Sequence, residues 1–199
     1  KDVNFFENDF GYSDFLDITF SGSNIKKISL ITPNNTTDGR LKKTWIIENN
    51  KRILVKGGYK DNPSAPLNEY LASMICKYLG IKCVNYELGV INEKLVSKCE
   101  DFIDENTELI TAHSILKGEL KGNYKETYEK YIKILEINGI DKARDNLEDM
   151  ILLDYLIMNV DRHLNNFGII RDANTLKWIS AAPIFDSGEA MNLEMLDDD

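Results

Sequence analysis

The string Asp161-Arg162-His163-Leu164-Asn165-Asn166-Phe167-Gly168 puts an Asp and an Asn five positions apart, directly after an apolar segment. Twenty residues after Asn166 comes Pro183-Ile184-Phe185-Asp186-Ser187-Gly188. Between them lie two short apolar segments, Phe167–Ile170 and Lys177–Ser180, joined by the turn-forming run Asp172-Ala173-Asn174-Thr175. A hairpin there returns antiparallel and brings Asn166 and Asp186 to one end. Three oxygen-bearing side chains, Asp161, Asn166 and Asp186, then converge on a small volume. Hard oxygen ligands of this kind suit Mg²⁺, which is held by one or two protein groups together with substrate phosphates. The chemistry such a set supports is phosphoryl transfer, in which charge neutralisation and in-line positioning matter more than covalent help from the protein.

An Asp, an Asn after four intervening residues, and a later Phe-Asp near a Gly is the arrangement of protein kinases. There the first Asp orients or deprotonates the attacking hydroxyl, and the Asn and second Asp hold metal. A solitary Asp-x4-Asn serves equally well for turn and cap hydrogen bonds. The whole set after a buried helix is much rarer, and it is the set that points to a kinase. A kinase also needs a cation on the phosphates. Lys56 ends the apolar strand Ile53-Leu54-Val55-Lys56, and Glu69 on the following helix is placed to pair with it and fix its direction. Taken alone, the two read as a surface lysine and a solvated glutamate. The downstream Asp161 cluster favours the paired role. Ser21-Gly22-Ser23-Asn24 offers small residues whose backbone N–H groups could approach a phosphate, and an ordinary turn explains the run as well. Neither a Gly-x-x-x-x-Gly-Lys nor a Gly-x-Gly-x-x-Gly string occurs, which disfavours a P-loop NTPase.

The elements that must position these residues fall into two groups. Residues 1–20 read as extended chain covering a core edge, 28–31 as a short strand, and 33–39 as a loop. Thr44–Ile47 and Arg52–Lys56 read as a hairpin about the Asn-rich joint 48–51. Leu67, Leu71, Met74, Ile75 and Leu79 recur at helical spacing, so 67–79 is expected to be an amphipathic helix, capped by Gly80. Tyr86–Val90 and Lys94–Ser97 read as a second strand pair. Beyond about residue 102 the pattern predicts helices over Glu108–Leu116, Tyr124–Glu136 and Leu147–Asn159, the last being the most apolar and so the central buried helix. The expectation is an α+β, two-lobed, protein-kinase-like fold. Residues 1–98 would form a β-rich lobe with one helix, and residues 99–199 a mostly helical lobe carrying the catalytic and metal-binding loops. A cleft between two such lobes is a favoured ligand site.

On these residues the chain resembles the HipA-like serine/threonine kinases, in particular their CtkA-type branch. The resemblance runs from about Gly22 to Gly188. It includes Gly22-Ser23-Asn24 with Lys27-Ile28-Ser29-Leu30, Val55-Lys56, Glu69-Tyr70, Leu79-Gly80 and Cys99-Glu100-Asp101-Phe102. It closes on Asp161-Arg162-His163, Asn166, Gly168 and Ala182-Pro183-Ile184-Phe185-Asp186, its most specific strings. It implies ATP and Mg²⁺ as cofactors, with Lys56 on the phosphates and Gly22, Ser23 and Asn24 in the glycine-rich loop. It also implies that backbone groups of Cys99, Glu100 and Asp101 face adenine, with Asp161 as base and Asn166 and Asp186 on metal. His163 would touch phosphate. Autophosphorylation, with Ser21 and Ser23 as candidate acceptors, follows by the same analogy. HipA itself is a toxin with an antitoxin partner, but nothing here matches its extra N-terminal domain, so an antitoxin-like partner has no support in this sequence. The family's helical lobe usually continues well beyond the metal-binding Asp, whereas thirteen residues follow Asp186 here. The chain is therefore expected to be a kinase core without its usual C-terminal helices.

Composition sets the remaining bounds. The 199 residues are 43% apolar, enough for a buried core, and carry 24 Lys and Arg against 33 Asp and Glu, a net charge of −9. A chain this acidic is not expected to bind nucleic acid, and no apolar run approaches the roughly 18 residues of a membrane span. ATP would then be held by a local cluster of Lys56, Arg162 and a bound Mg²⁺. The three cysteines, Cys76, Cys83 and Cys99, contain no Cys-x-x-Cys and read as thiols of a cytoplasmic protein, with secretion into a host left open. The expected partner is a protein substrate, the chain itself included. The competing readings are a phosphatidylinositol-type lipid or small-molecule kinase, whose catalytic loop Asp-Arg-His-x-x-Asn also resembles, a nucleotide-binding pseudokinase, and a magnesium-dependent phosphatase or nuclease working without Lys56.

Overall fold

The computed structural model describes residues 43–58, 62–117 and 123–191. The readings made for 1–42, including the strand at 28–31 and the loop Gly22-Ser23-Asn24, lie outside the described residues. The chain divides into two compact units. The first contains the described residues up to Met74 and Val84–Asp101, and the second contains Ile75–Cys83 and the residues from Phe102 onward.

The first unit is a four-stranded antiparallel sheet in the order β1-β2-β4-β3, built from β1 (Lys43–Glu48), β2 (Lys51–Gly57), β3 (Tyr86–Ile91) and β4 (Lys94–Glu100). Its two hairpins share one device. Asn49 and Asn50 have φ of 52° and 60°, and Asn92 and Glu93 have 48° and 63°. Two central residues at positive φ make the tight turn whose twist suits flanking strands, and Asn tolerates that backbone. Ile46, Val55 and Val96 form the sheet's buried core, with Ile53 and Ile91 packed against it. Helix α1 (Ala65–Leu79) follows β2, with Pro66 in its first turn, and the chain leaves it through Gly80 at φ 72°.

The second unit combines a three-stranded antiparallel sheet, β5 (Thr107–Thr111), β6 (Gly168–Asp172) and β7 (Trp178–Ala181), with helices α2 (Ala112–Ile115), α3 (Tyr124–Ile137) and α4 (Ala143–Leu156). Asn123 caps α3, its side chain accepting from the Glu126 amide at 3.0 Å and donating back to the Glu126 carboxylate at 3.1 Å. Tyr131, Ile132 and Leu135 of α3 and Leu147, Met150 and Leu153 of α4 are buried.

Two expectations fail here. The segment 108–116 is not one helix, because Thr107–Thr111 pairs residue for residue with Gly168–Asp172. Leu109, Ile110, Leu116 and Ala112 mimic a helical period, but β-branched Thr107, Ile110 and Thr111 suit a strand, and the partner strand lies some sixty residues away, beyond any local pattern. Helix α4 is not buried all round. Leu147, Met150, Leu153 and the following Ile157 face inward, whereas Ile151 and Leu152 are each 48% exposed and Leu156 is 51% exposed. Apolar composition says that a helix has somewhere to pack, not that the described residues cover every side of it.

Candidate functional site

In the first unit, β2 and α1 together bury a charged pair. The Lys56 ammonium lies 2.5 Å from a Glu69 carboxylate oxygen, with side chains 6% and 1% exposed. The second Glu69 oxygen accepts from the Ser97 hydroxyl of β4. The Lys56 ammonium also lies 5.7 Å from the centroid of the Tyr86 ring. A carboxylate this deep is tolerable because both oxygens are engaged and one carries a counter-charge. Register explains the convergence. Lys56 stands opposite Ser97 on β4, and α1 returns Glu69 to the same place. Cys99, on the same strand, is buried, and that burial pushes its thiol up to about 12. Glu100 points outward and pairs with Lys51 at 2.7 Å, while the Asp101 amide donates to the Arg52 carbonyl at 2.9 Å.

In the second unit, the site grows from the end of α4. Asp154 lies in the run Met150-Ile151-Leu152-Leu153-Asp154-Tyr155-Leu156-Ile157, and its carboxylate accepts a fork from Arg162, Nε to Oδ2 at 2.8 Å and Nη2 to Oδ1 at 2.9 Å. The Asn159 amide adds a third bond to Asp154, at 2.8 Å. The rest of the guanidinium reaches across the loop. Nη1 donates to the Asn166 carbonyl at 3.0 Å and the Phe185 carbonyl at 2.6 Å, and Nη2 donates to the Ser187 hydroxyl at 3.2 Å. All five guanidinium donors are thus committed. One buried cation ties the helix end, the 161–166 loop and the 185–187 segment together.

The Asn166 side chain is buried and donates to the Asp161 carbonyl at 3.1 Å, which leaves its Oδ1 without a partner among the described residues. Asp161 is exposed, and its carboxylate has no hydrogen bond or ion pair to the described residues, although its backbone is fixed by Asn159, His163 and Asn166. His163 is exposed and accepts at Nδ1 from the Asn165 amide at 3.3 Å. Asp186 has φ 58°, the left-handed region, which costs an L residue energy and which Asp and Asn tolerate better than most. Strand pairing then aligns the two halves of the site. The Ala182 amide donates to the Gly168 carbonyl at 3.0 Å, continuing the β6–β7 ladder toward Asn166 and Asp186. Gly168 itself is required, because a Cβ there would overlap the Ile110 carbonyl of β5. Among the described residues no cluster of three or more His, Cys, Asp or Glu side chains forms a self-sufficient metal cage. The Asn166 amide oxygen and the Asp186 carboxylate are hard oxygen donors of the type that fits Mg²⁺ shared with phosphate oxygens, on two segments whose backbones Arg162 joins through the Asn166 and Phe185 carbonyls.

The family model for the HipA-like C-terminal domain matches residues 24–194. The chain belongs to this HipA-like family. Among its relatives is the serine/threonine-protein kinase CtkA of Helicobacter pylori, 31% identical over 136 residues, a match covering 62% of this chain and 40% of that protein. The crystal structure of an H. pylori proinflammatory kinase CtkA superposes with a TM-score of 0.64 at 26% identity, covering 76% of this chain and 56% of that one. HipA from Shewanella oneidensis, solved with HipB and operator DNA, superposes at 0.55 with 15% identity, covering 78% and 44%, a likeness of fold. The chain therefore spans about two fifths of the curated relative's length. Its fold is the α+β kinase-like fold expected, with a small antiparallel sheet and one helix in the described part of the first unit, and helices with a second sheet in the other.

In this HipA-like chain the structure brings Lys56 to Glu69, and gathers Asp161, Asn166 and the 185–187 segment around Arg162. It corrects the role expected of Arg162. With every donor spent inside the protein, that side chain has none left for a phosphate. The residue that sequence reasoning missed is Asp154. Its signal is a lone acid within an apolar run, eight positions before an Arg. No helix among the described residues is long and apolar enough to cross a membrane.

Proposed function

We propose that this chain is the core of an ATP- and Mg²⁺-dependent protein serine/threonine kinase that also phosphorylates itself. The observation that carries the reading is the Arg162 node, which holds the Asp161–Asn166 loop and the Phe185-Asp186 segment together. Lys56, kept in place by Glu69, binds the nucleotide phosphates, and backbone groups of Cys99–Asp101 take the adenine. Asp161, exposed and unencumbered, accepts the proton of the attacking hydroxyl. Asn166 and Asp186 hold Mg²⁺, which when bound neutralises phosphate charge, and His163 steadies a phosphate oxygen. The 31% identity to a protein named as a serine/threonine-protein kinase favours a protein substrate over a lipid.

The test incubates the chain with Mg²⁺ and radiolabelled ATP, alone, with a basic protein substrate, and with phosphatidylinositol vesicles. The expected result is label on protein, gain of phosphate in the intact mass, and loss of both in Asp161→Asn. Labelled lipid with unlabelled protein, or an Asp161→Asn variant as active as the parent, overturns the proposal.

A further inference from the structure

Strand β4 buries a hydroxyl behind the charged pair of the first unit. In the run Lys94-Leu95-Val96-Ser97-Lys98-Cys99-Glu100, Ser97 is 0% exposed, at a position where an apolar side chain would bury no polar group. Its neighbour Val96 points to the opposite face, into the sheet core with Ile46 and Val55. Ser97 stands opposite Lys56 on β2 and opposite Leu88 on β3, so its backbone is paired on both sides and its side chain shares the Lys56 face. There its hydroxyl donates to Oε2 of Glu69, while Oε1 takes the Lys56 ammonium at 2.5 Å. Three elements, β2, α1 and β4, thus each contribute one polar group to a single buried chain of contacts.

From this arrangement we infer that Ser97 is a positioning residue for nucleotide binding, acting through Glu69 to fix the direction in which Lys56 presents its ammonium. The inference rests on the proposed role of Lys56 as the lysine that meets the phosphates. A carboxylate turns easily about its last bond, whose torsional preference is broad. Unpinned, Glu69 can turn either oxygen, or both, toward the lysine. With Oε2 held by a donor on a strand paired on both sides, Oε1 is the oxygen turned to Lys56, and the lysine has one place to dock. The Tyr86 ring, 5.7 Å from the ammonium, bounds it on a further side. A hydrogen bond to a charged acceptor is stronger than one between neutral groups, and burial removes the water that would compete for it. A residue with no exposed surface touches no nucleotide, so Ser97 has its effect only through the carboxylate it holds.

The experiment titrates the full chain with ADP in Mg²⁺ and, separately, with adenosine, by isothermal titration calorimetry. It compares the parent with Ser97→Ala, which deletes the donor, and Ser97→Cys, which keeps the volume but donates weakly. Circular dichroism checks that each variant is folded. The expected result is ADP bound about tenfold more weakly by Ser97→Ala, the lower end of the cost of removing a group that orients a ligating side chain. Ser97→Cys should fall between, and adenosine, which has no phosphate for Lys56 to meet, should bind all three equally. Unchanged ADP affinity in Ser97→Ala overturns the inference. So does an equal loss for ADP and adenosine, which marks a general distortion of the sheet rather than a misdirected lysine. If the alanine variant does not fold, the same comparison on Ser97→Cys decides. A parent chain that binds no ADP fails the kinase reading itself, and with it the inference, before any variant is compared.

Discussion

Replacing Arg162 tests whether a single buried cation assembles the loop. The Arg162 and Asp154 side chains are 9% and 12% exposed, so Arg162→Ala leaves a nearly buried carboxylate with Asn159 as its remaining partner. Removing one member of a buried pair costs about 3–5 kcal/mol. In a chain of this size each kcal/mol moves Tm by about 2–4 °C, so the expected fall is roughly 6–20 °C. Arg162→Lys sharpens the test. Lysine keeps the charge but presents a point donor rather than a fork, so it cannot serve Asp154, two carbonyls and Ser187 at once. Losing two or three of those bonds should still cost about 2 kcal/mol, or roughly 4–8 °C. Differential scanning calorimetry reads both values. A lysine variant melting within about 1 °C of the parent would show that the fork geometry carries no stability and would refute the reasoning.

Two further substitutions probe the supports of each unit. Glu69→Gln strips the counter-charge from buried Lys56 and should cost about 3–5 kcal/mol, whereas Lys56→Met combined with Glu69→Leu should cost far less than the sum of the single changes. Chemical denaturation of the four-member cycle measures the coupling, and additive single effects would sink the pair's assignment as one unit. Gly168→Ala drives a Cβ into the Ile110 carbonyl and must part β5 from β6, costing about 1–3 kcal/mol or more. A Tm unchanged by that substitution would contradict the close approach.

What could be read from the residues was what short-range chemistry determines. The pair Asn49-Asn50 announced a tight turn because few residues accept positive φ twice in succession, and both are found there. Asn166 and Asp186 could be placed at one end because the hairpin between them carries its own alternation and its own Asp172 turn, whose carboxylate accepts from the Asn174 and Thr175 amides. Strand β5 was illegible for the opposite reason. Its identity depends on Gly168–Asp172, and a window centred on 108–116 contains no trace of that partner. The exposure of Ile151, Leu152 and Leu156 was illegible too, since a run of apolar residues does not say which of them find a neighbour.

Arg162 shows why residue type at a motif position is a weak guide to role. In sequence it stands beside Asp161 as one more charge for a phosphate. In the fold it is a strut, and its charge is cancelled by Asp154. Lys56 is likewise offset by Glu69, so each of these two cations is already paired with an anion of its own. For the kinase reading this changes where the attraction for ATP must come from. A chain of net charge −9 that spends its site cations on internal carboxylates gains little from long-range attraction. On that reading, its hold on a polyphosphate would rest on short-range donors and on a divalent cation that Asn166 and Asp186 are proposed to hold. The same economy explains why the paired carboxylates are buried and Asp161 is not. Asp154 and Glu69 act by fixing a cation's direction, which burial strengthens, while the proposed base must remain open to the hydroxyl it serves.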